Sequence, residues 1–402
     1  MSGRPFLQIP GPTNVPDRVL RAMDRPVIDH RSPEFGAIVK DLLPDVAKVF
    51  KSETGKVVLY PSSGTGAWEA ALVNTLAPGD RALIFNNGHF ATLFAEAARN
   101  LGIDVDEVPL RWGQGVPAEQ VEEKLRADKG GSNAYKAVLV VHNETSTGVT
   151  SNVPNVRKAL DTVGHDALLI VDTVSSLASM DFRMDEWRVD VTLTGSQKGL
   201  MLPPGMALLC VGPKAIEASK VGGSRRSFWD WNRIIADNVA GFFPYTPATL
   251  LLFGLREAVT MLLEEGLDDV FGRHERLATG VRAAVDAWGL KNLCENPAEV
   301  SNSLTTVLTP DGTDSADVMK IARKKYDLAL GVGLGRIRGK VFRIGHLGAL
   351  NELEVLATLG GVEMALVEAG IKIELGEGVA AAQQSFVAGR QAIATPVAAT
   401  SR

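Results

Sequence analysis

The chain has 402 residues, enough for two domains at roughly 100–200 residues each. Its composition, 45% hydrophobic and 22% charged, is that of a globular protein, which excludes a disordered or small disulfide-stapled chain. A formal net charge of −5 without any lysine or arginine block excludes the electrostatic footprint of a nucleic-acid or anionic-membrane binder. Small molecules and further copies of the chain are the expected partners.

Cys210 and Cys294 stand alone, without C-x-x-C spacing, so neither a disulfide framework nor a metal site is expected and both read as small buried apolar residues. The first residues lack the basic-then-apolar pattern of a secretory signal, and no apolar run reaches the ~18 residues of a membrane span. A cytoplasmic location is the expectation. The ending Thr400-Ser401-Arg402 resembles a peroxisomal tripeptide without its final leucine, which makes that address the lesser alternative.

Residues 1–20 have weak periodicity and read as an N-terminal arm. From 21 to 265, short apolar runs alternate with helical patterns, the form of an α/β domain built on a mainly parallel sheet. The spacing predicts strands at 56–60, 81–85, 105–108, 137–142, 167–171, 191–194 and 207–211. Helices are predicted at 66–76, 90–101, 118–126 and 153–163. Two longer helices, 250–265 and 269–288, lead to a small α+β domain over 266–379. That domain has strands at 303–308 and 341–344 and helices at 316–326 and 351–369; residues 380–402 read as a tail.

Three turns in the large domain carry chemistry. Ser62-Ser63-Gly64-Thr65-Gly66 joins a strand to a helix, where backbone N–H groups and the helix N-terminus suit a phosphate; an ordinary helix cap is the competing reading. Leu168-Leu169-Ile170-Val171-Asp172 ends an apolar strand in one carboxylate, which could serve a metal, a ribose or a protonated pyridine nitrogen, with an ordinary loop cap as the competing reading. Thr194-Gly195-Ser196-Gln197-Lys198-Gly199 places a lysine after another buried strand, where desolvation lets an amine form an imine. A solvated surface lysine is the plain alternative. Anion turn, carboxylate and amine in this order match what pyridoxal 5′-phosphate requires. The run Gly331-Val332-Gly333-Leu334-Gly335 lacks the strand, helix and distal acid of a dinucleotide fingerprint and reads as a flexible loop, which leaves a dehydrogenase without support.

Together these strings resemble the class V aminotransferases of PLP fold type I, with the nearest likeness to serine–glyoxylate and alanine–glyoxylate aminotransferases. His142-Asn143-Glu144-Thr145-Ser146-Thr147-Gly148, Tyr245-Thr246-Pro247 and Phe342-Arg343-Ile344-Gly345-His346 carry the likeness further, from Pro10-Gly11-Pro12 to Arg343. The resemblance implies that Ser63, Gly64, Thr65 and Gln197 bind the cofactor phosphate, and that Asp172 pairs with its ring nitrogen. It makes Lys198 the Schiff-base lysine and proton shuttle. Phe90 would cover one face of the ring, with His89 a competitor for that role and core packing the plain reading. Val174 would pack on the other face, and Thr145 would bond the phenolic oxygen. Tyr245 and Thr246 match a segment that the family supplies from a neighbouring subunit, which implies a homodimer.

Arg343 matches the arginine that binds the substrate carboxylate bidentately, with a structural ion pair as the alternative. Thr13, Asn14 and the segment Asp29-His30-Arg31 are further pocket candidates. The implied reaction moves the amino group of L-serine to glyoxylate in ping-pong fashion, with alanine as alternative donor. Cysteine desulfuration and a non-catalytic PLP-binding protein are the rivals. Desulfuration requires a mobile cysteine, which neither Cys210 nor Cys294 provides.

Overall fold

The computed structural model describes residues 5–128 and 130–394. Its strands, in chain order, are β1 (Phe6–Gln8), β2 (Lys56–Tyr60), β3 (Arg81–Asn86), β4 (Asp104–Pro109), β5 (Tyr135–Val141), β6 (Asn143–Glu144) and β7 (Val149–Thr150). They continue as β8 (Leu168–Asp172), β9 (Val191–Gly195), β10 (Ala207–Val211), β11 (Lys291–Asn292), β12 (Leu304–Leu308), β13 (Leu328–Val332) and β14 (Val341–Gly345). All seven strands predicted for the large domain are present, each within two residues at either end.

They form one sheet in the order β2-β10-β9-β8-β5-β3-β4, parallel except for β10, which runs antiparallel to both neighbours. Alternate residues of these strands enter two different cores. Leu83, Phe85, Val138, Val140, Leu169 and Val171 face the helices Pro33–Val49, Val153–Val163 and Thr249–Glu265. Ile84, Leu139, Ile170 and Leu193 face Gly64–Thr75 and His89–Asn100. Burial on both faces is why the strands read as unbroken apolar runs.

Local signals mark the helix ends. Asn152 accepts a hydrogen bond from the Asn155 amide at 3.0 Å, and Val153–Val163 ends at Gly164, whose φ of 68° suits a residue without a Cβ. Asn351 and Glu354 form a reciprocal capping box at the start of Glu352–Glu368. Among the described residues no helix is long and apolar enough to cross a membrane.

The second sheet, β1-β13-β14-β12-β11, has its own core beneath the helices Leu267–Ala287, Ser315–Tyr326 and Glu352–Glu368. Three sequence expectations change here. The N-terminal arm is a strand in part: β1 pairs in parallel with β13, so residues near the start of the chain form the edge of the second sheet. The glycine run 331–335 is not a flexible loop, because Gly331 and Val332 belong to β13. Its glycines permit close approach instead, since a Cβ on Gly331 would lie 2.6 Å from Pro10 Cδ. The expected tail contains the helix Glu377–Ala394, whose buried Ala382 and Phe386 pack in the core of the second sheet. Residues 395–402, including the ending Thr400-Ser401-Arg402, lie outside the described residues.

Candidate active site

The C-terminal ends of the parallel strands open into a cleft with a cavity volume of about 140 Å³. Asp172 ends β8 and is 3% exposed. One of its oxygens accepts from Trp68 Nε1 and the other from the Val174 amide, both at 2.7 Å. Burial is the largest influence on this carboxyl and pushes its pKa up to about 6, against the pull of those two donors. Trp68 belongs to no motif of the sequence. Its position four residues after Gly64 puts it on the same helical face as the anion turn, and a buried indole N–H requires an acceptor. It also stacks on Phe94 at 5.3 Å, which holds the donor in place.

Lys198 follows β9 and projects toward the same cleft. Burial, then the charge of Arg343, lowers its pKa to about 8. The N-terminal arm fixes this lysine from outside. Lys198 Nζ donates to the Pro10 carbonyl, and the Thr13 amide donates to the Gln197 carbonyl at 3.1 Å. Gly11 lies against the Lys198 side chain with φ 104°, a conformation that favours glycine.

At the third corner, the helix Gly64–Thr75 points its N-terminus into the cleft, and its N-cap residue, Ser63, makes no side-chain capping bond. The Gln197 Oε1 atom is buried without a partner. A Cβ built on Gly195 would meet that oxygen at 2.9 Å and the Gly64 nitrogen at 3.4 Å, so this glycine keeps a gap open beside the helix start. An uncapped helix N-terminus, an unused carboxamide and an open gap fit a phosphate-sized anion. Phe90, Thr145 and Val174 complete the wall, together with Val141 and Asn143, which sequence reasoning missed. Thr145 Oγ1 and Asn143 Nδ2 both donate to Ser175 Oγ, at 2.7 and 2.8 Å.

Arg343, on β14, is not among the residues that line the cleft, but it meets the wall residue Thr145 through that residue's carbonyl. Its Nε donates to the Val332 carbonyl at 2.8 Å and its Nη1 to the Thr145 carbonyl at 2.7 Å. Among the described residues Nη2 has no hydrogen-bond partner, and no carboxylate pairs with the guanidinium. The structural ion pair considered from sequence is therefore not formed. Burial lowers the arginine's pKa to about 10.

Other candidates lie apart from this wall. Thr13 Oγ1 donates to the Lys198 carbonyl at 3.2 Å and Asn14 Nδ2 to the Leu7 carbonyl at 3.2 Å, so both serve the arm and its hold on Lys198. Asp29 accepts from the Arg31 amide in a local turn at 2.9 Å. Tyr245 donates to the Leu59 carbonyl at 2.6 Å within an aromatic group with Phe228 and Phe243, and Thr246 is exposed. Neither lines the cleft of its own chain. Cys210 is fully buried in β10 and Cys294 is 4% exposed, both with pKa raised by burial. Neither can act as the mobile thiol of a desulfurase.

A family model described as aminotransferase class-V matches residues 6–336. The serine–glyoxylate aminotransferase of Methylorubrum extorquens is 50% identical over 385 residues, 94% of this chain and 95% of that protein. The L-aspartate–glyoxylate aminotransferase of Paracoccus denitrificans is 48% identical over 378 residues, 94% of this chain and 95% of its own length. Among solved structures, the ureidoglycine–glyoxylate aminotransferase of Bacillus subtilis superposes with a TM-score of 0.89 at 27% identity, covering 96% of this chain and 99% of its own. Cleft, fold and likeness coincide over nearly the whole length: the chain belongs to the class-V aminotransferase family and is a transaminase.

Proposed function

We propose that this transaminase uses pyridoxal 5′-phosphate to move the amino group of L-serine to glyoxylate, giving hydroxypyruvate and glycine. The observation that carries the reading is the meeting of Asp172, Lys198 and the uncapped start of Gly64–Thr75 in one cleft. The substrate pair is supported by the serine–glyoxylate enzyme that is 50% identical to this chain.

Bound there, the cofactor supplies an aldehyde that captures an amine and a ring that accepts electron density from the substrate Cα. Ser63, Gly64, Thr65 and Gln197 hold its phosphate. Asp172, fixed by Trp68 and the Val174 amide, keeps a proton on the ring nitrogen; that cationic partner favours the ionised carboxylate against the effect of burial. Lys198 Nζ would anchor the cofactor and would serve as the base for the proton on the substrate Cα. Its depressed pKa supplies more of the neutral amine at physiological pH than an exposed lysine would. Arg343 presents Nη2 to the substrate carboxylate, with Nε and Nη1 already committed to carbonyls. Phe90 and Val174, in the cleft wall, would shield a bound cofactor from water. Exposed Thr246 and neighbouring Tyr245 serve the cleft of a second copy, which makes the working unit a homodimer.

The test is a spectroscopic titration of the cofactor-loaded protein at its visible band near ~420 nm. Bleaching by L-serine, recovery on glyoxylate and loss of both in Lys198→Ala are expected. Bleaching by L-aspartate or L-alanine in place of serine would overturn the donor while leaving the transaminase chemistry, and absence of a band would overturn the cofactor.

A further inference from the structure

We infer that Glu144, which lies behind the cleft wall, is a positioning residue that ties together Phe90, through the first turn of His89–Asn100, and Arg343, through the carbonyl of Thr145. The inference rests on the transaminase reading for what the cleft holds. Glu144 ends β6 and is fully buried. A buried carboxylate is costly unless its oxygens are bonded. Here Oε2 accepts from the Ala91 amide at 2.9 Å, and Oε1 from the Phe90 amide at 3.3 Å, the Ser146 amide at 3.0 Å and Ser146 Oγ at 2.7 Å. Ser146 Oγ in turn accepts from the His89 amide at 2.9 Å. All three opening amides of the helix are therefore satisfied from a separate hairpin, β6–β7.

The helix provides no cap of its own. Its N-cap residue is Gly88, and a Cβ there would fall 2.2 Å from Glu144 Cγ, so this glycine admits the foreign carboxylate. A negative charge at this end also meets the positive end of the helix dipole. The position of Phe90 in the cleft wall thus depends on the hairpin. The same hairpin sets the other side, because the residue after Glu144 is Thr145, whose carbonyl holds Arg343 Nη1 at 2.7 Å. The Glu144 charge adds to the burial that raises the pKa of Asp172 and opposes the burial that lowers that of Arg343.

Glu144→Gln keeps the size of the side chain but leaves one acceptor oxygen for four donors. In the cofactor-loaded enzyme we expect the visible circular dichroism per bound cofactor to fall, reporting a displaced ring. KM for the amino donor should rise about tenfold, as expected for loss of one charge-assisted hydrogen bond's orientation, while kcat changes less. Ser146→Ala, which retains the carboxylate but removes one donor to it and the acceptor of His89, should shift both readouts in the same direction by less. A Glu144→Gln protein with a lowered melting temperature but wild-type dichroism and KM would overturn the inference, since a merely structural cap behaves that way. Should that variant not fold, unchanged dichroism and KM in Ser146→Ala would overturn it equally. A wild-type enzyme without any visible band would instead count against the transaminase reading.

Discussion

Lys198 is held under opposing demands: a cleft that must exclude water, and an ammonium group that prefers it. Burial lowers its pKa to about 8, whereas an unfolded lysine titrates near 10.5. Below pH 8 both folded and unfolded chains carry the charge, and the folded chain bears the desolvation. Between about 8 and 10.5 the folded amine is already neutral, so this destabilisation is relieved as pH rises. In the cofactor-free protein, Lys198→Met should therefore raise stability at pH 7 by on the order of 1–3 kcal/mol, with the difference vanishing above pH ~10. Urea midpoints of both proteins at the two pH values check this, and an equal difference at both would refute it. Lys198, Asp172 and the 62–66 turn were legible because each lies where a buried strand ends and local spacing alone exposes it. Trp68 and Glu144 were not. Their roles depend on partners 104 and 53 or 54 residues away, joined by tertiary hydrogen bonds.

At the scale of elements, the helix Glu377–Ala394 shows what periodicity can miss. Its sequence is rich in alanine, so little contrast separates the buried face from the exposed one, and the segment reads as a tail. The packing is nevertheless close: a Cβ on Gly280 would lie 2.1 Å from Phe386 Cε1, and Phe386 is 4% exposed. Phe386→Ala should destabilise the protein by about 3–5 kcal/mol, read as a lowered denaturant midpoint. A change below about 1 kcal/mol would show that the helix is dispensable to the core. The helix Pro33–Val49 escaped notice for a different reason. It carries Pro44 in its interior, a residue that ordinarily interrupts a helix, yet Phe35, Ile38, Val39, Leu42, Val46 and Val49 are all buried. Six buried apolar side chains outweigh the ~3 kcal/mol proline penalty.

Across the whole molecule, the start of the chain links the five-stranded sheet to the end of a strand of the seven-stranded one. β1 completes the small sheet, and the next residues run past Lys198. Gln8 anchors this strap: its Nε2 donates to the Gly345 carbonyl at 2.7 Å, and its Oε1 accepts from Thr358 Oγ1 at 3.1 Å. Gln8→Ala leaves a buried carbonyl without this donor and should cost about 1–3 kcal/mol, measured as a lowered unfolding midpoint; an unchanged midpoint would deny the strap its anchoring role. The alternating strands and helices, the order of anion turn, carboxylate and amine, and the family likeness were determined by the sequence itself. They depend on local periodicity and on residues at strand ends, both of which survive without coordinates. Only the tertiary structure decided that the arm is a strand, that residues 377–394 are core, that Arg343 keeps one end of its fork unpartnered, and that a buried Glu144 supports the cleft wall. Each of these depends on contacts between residues far apart in the chain, and no local pattern encodes such contacts.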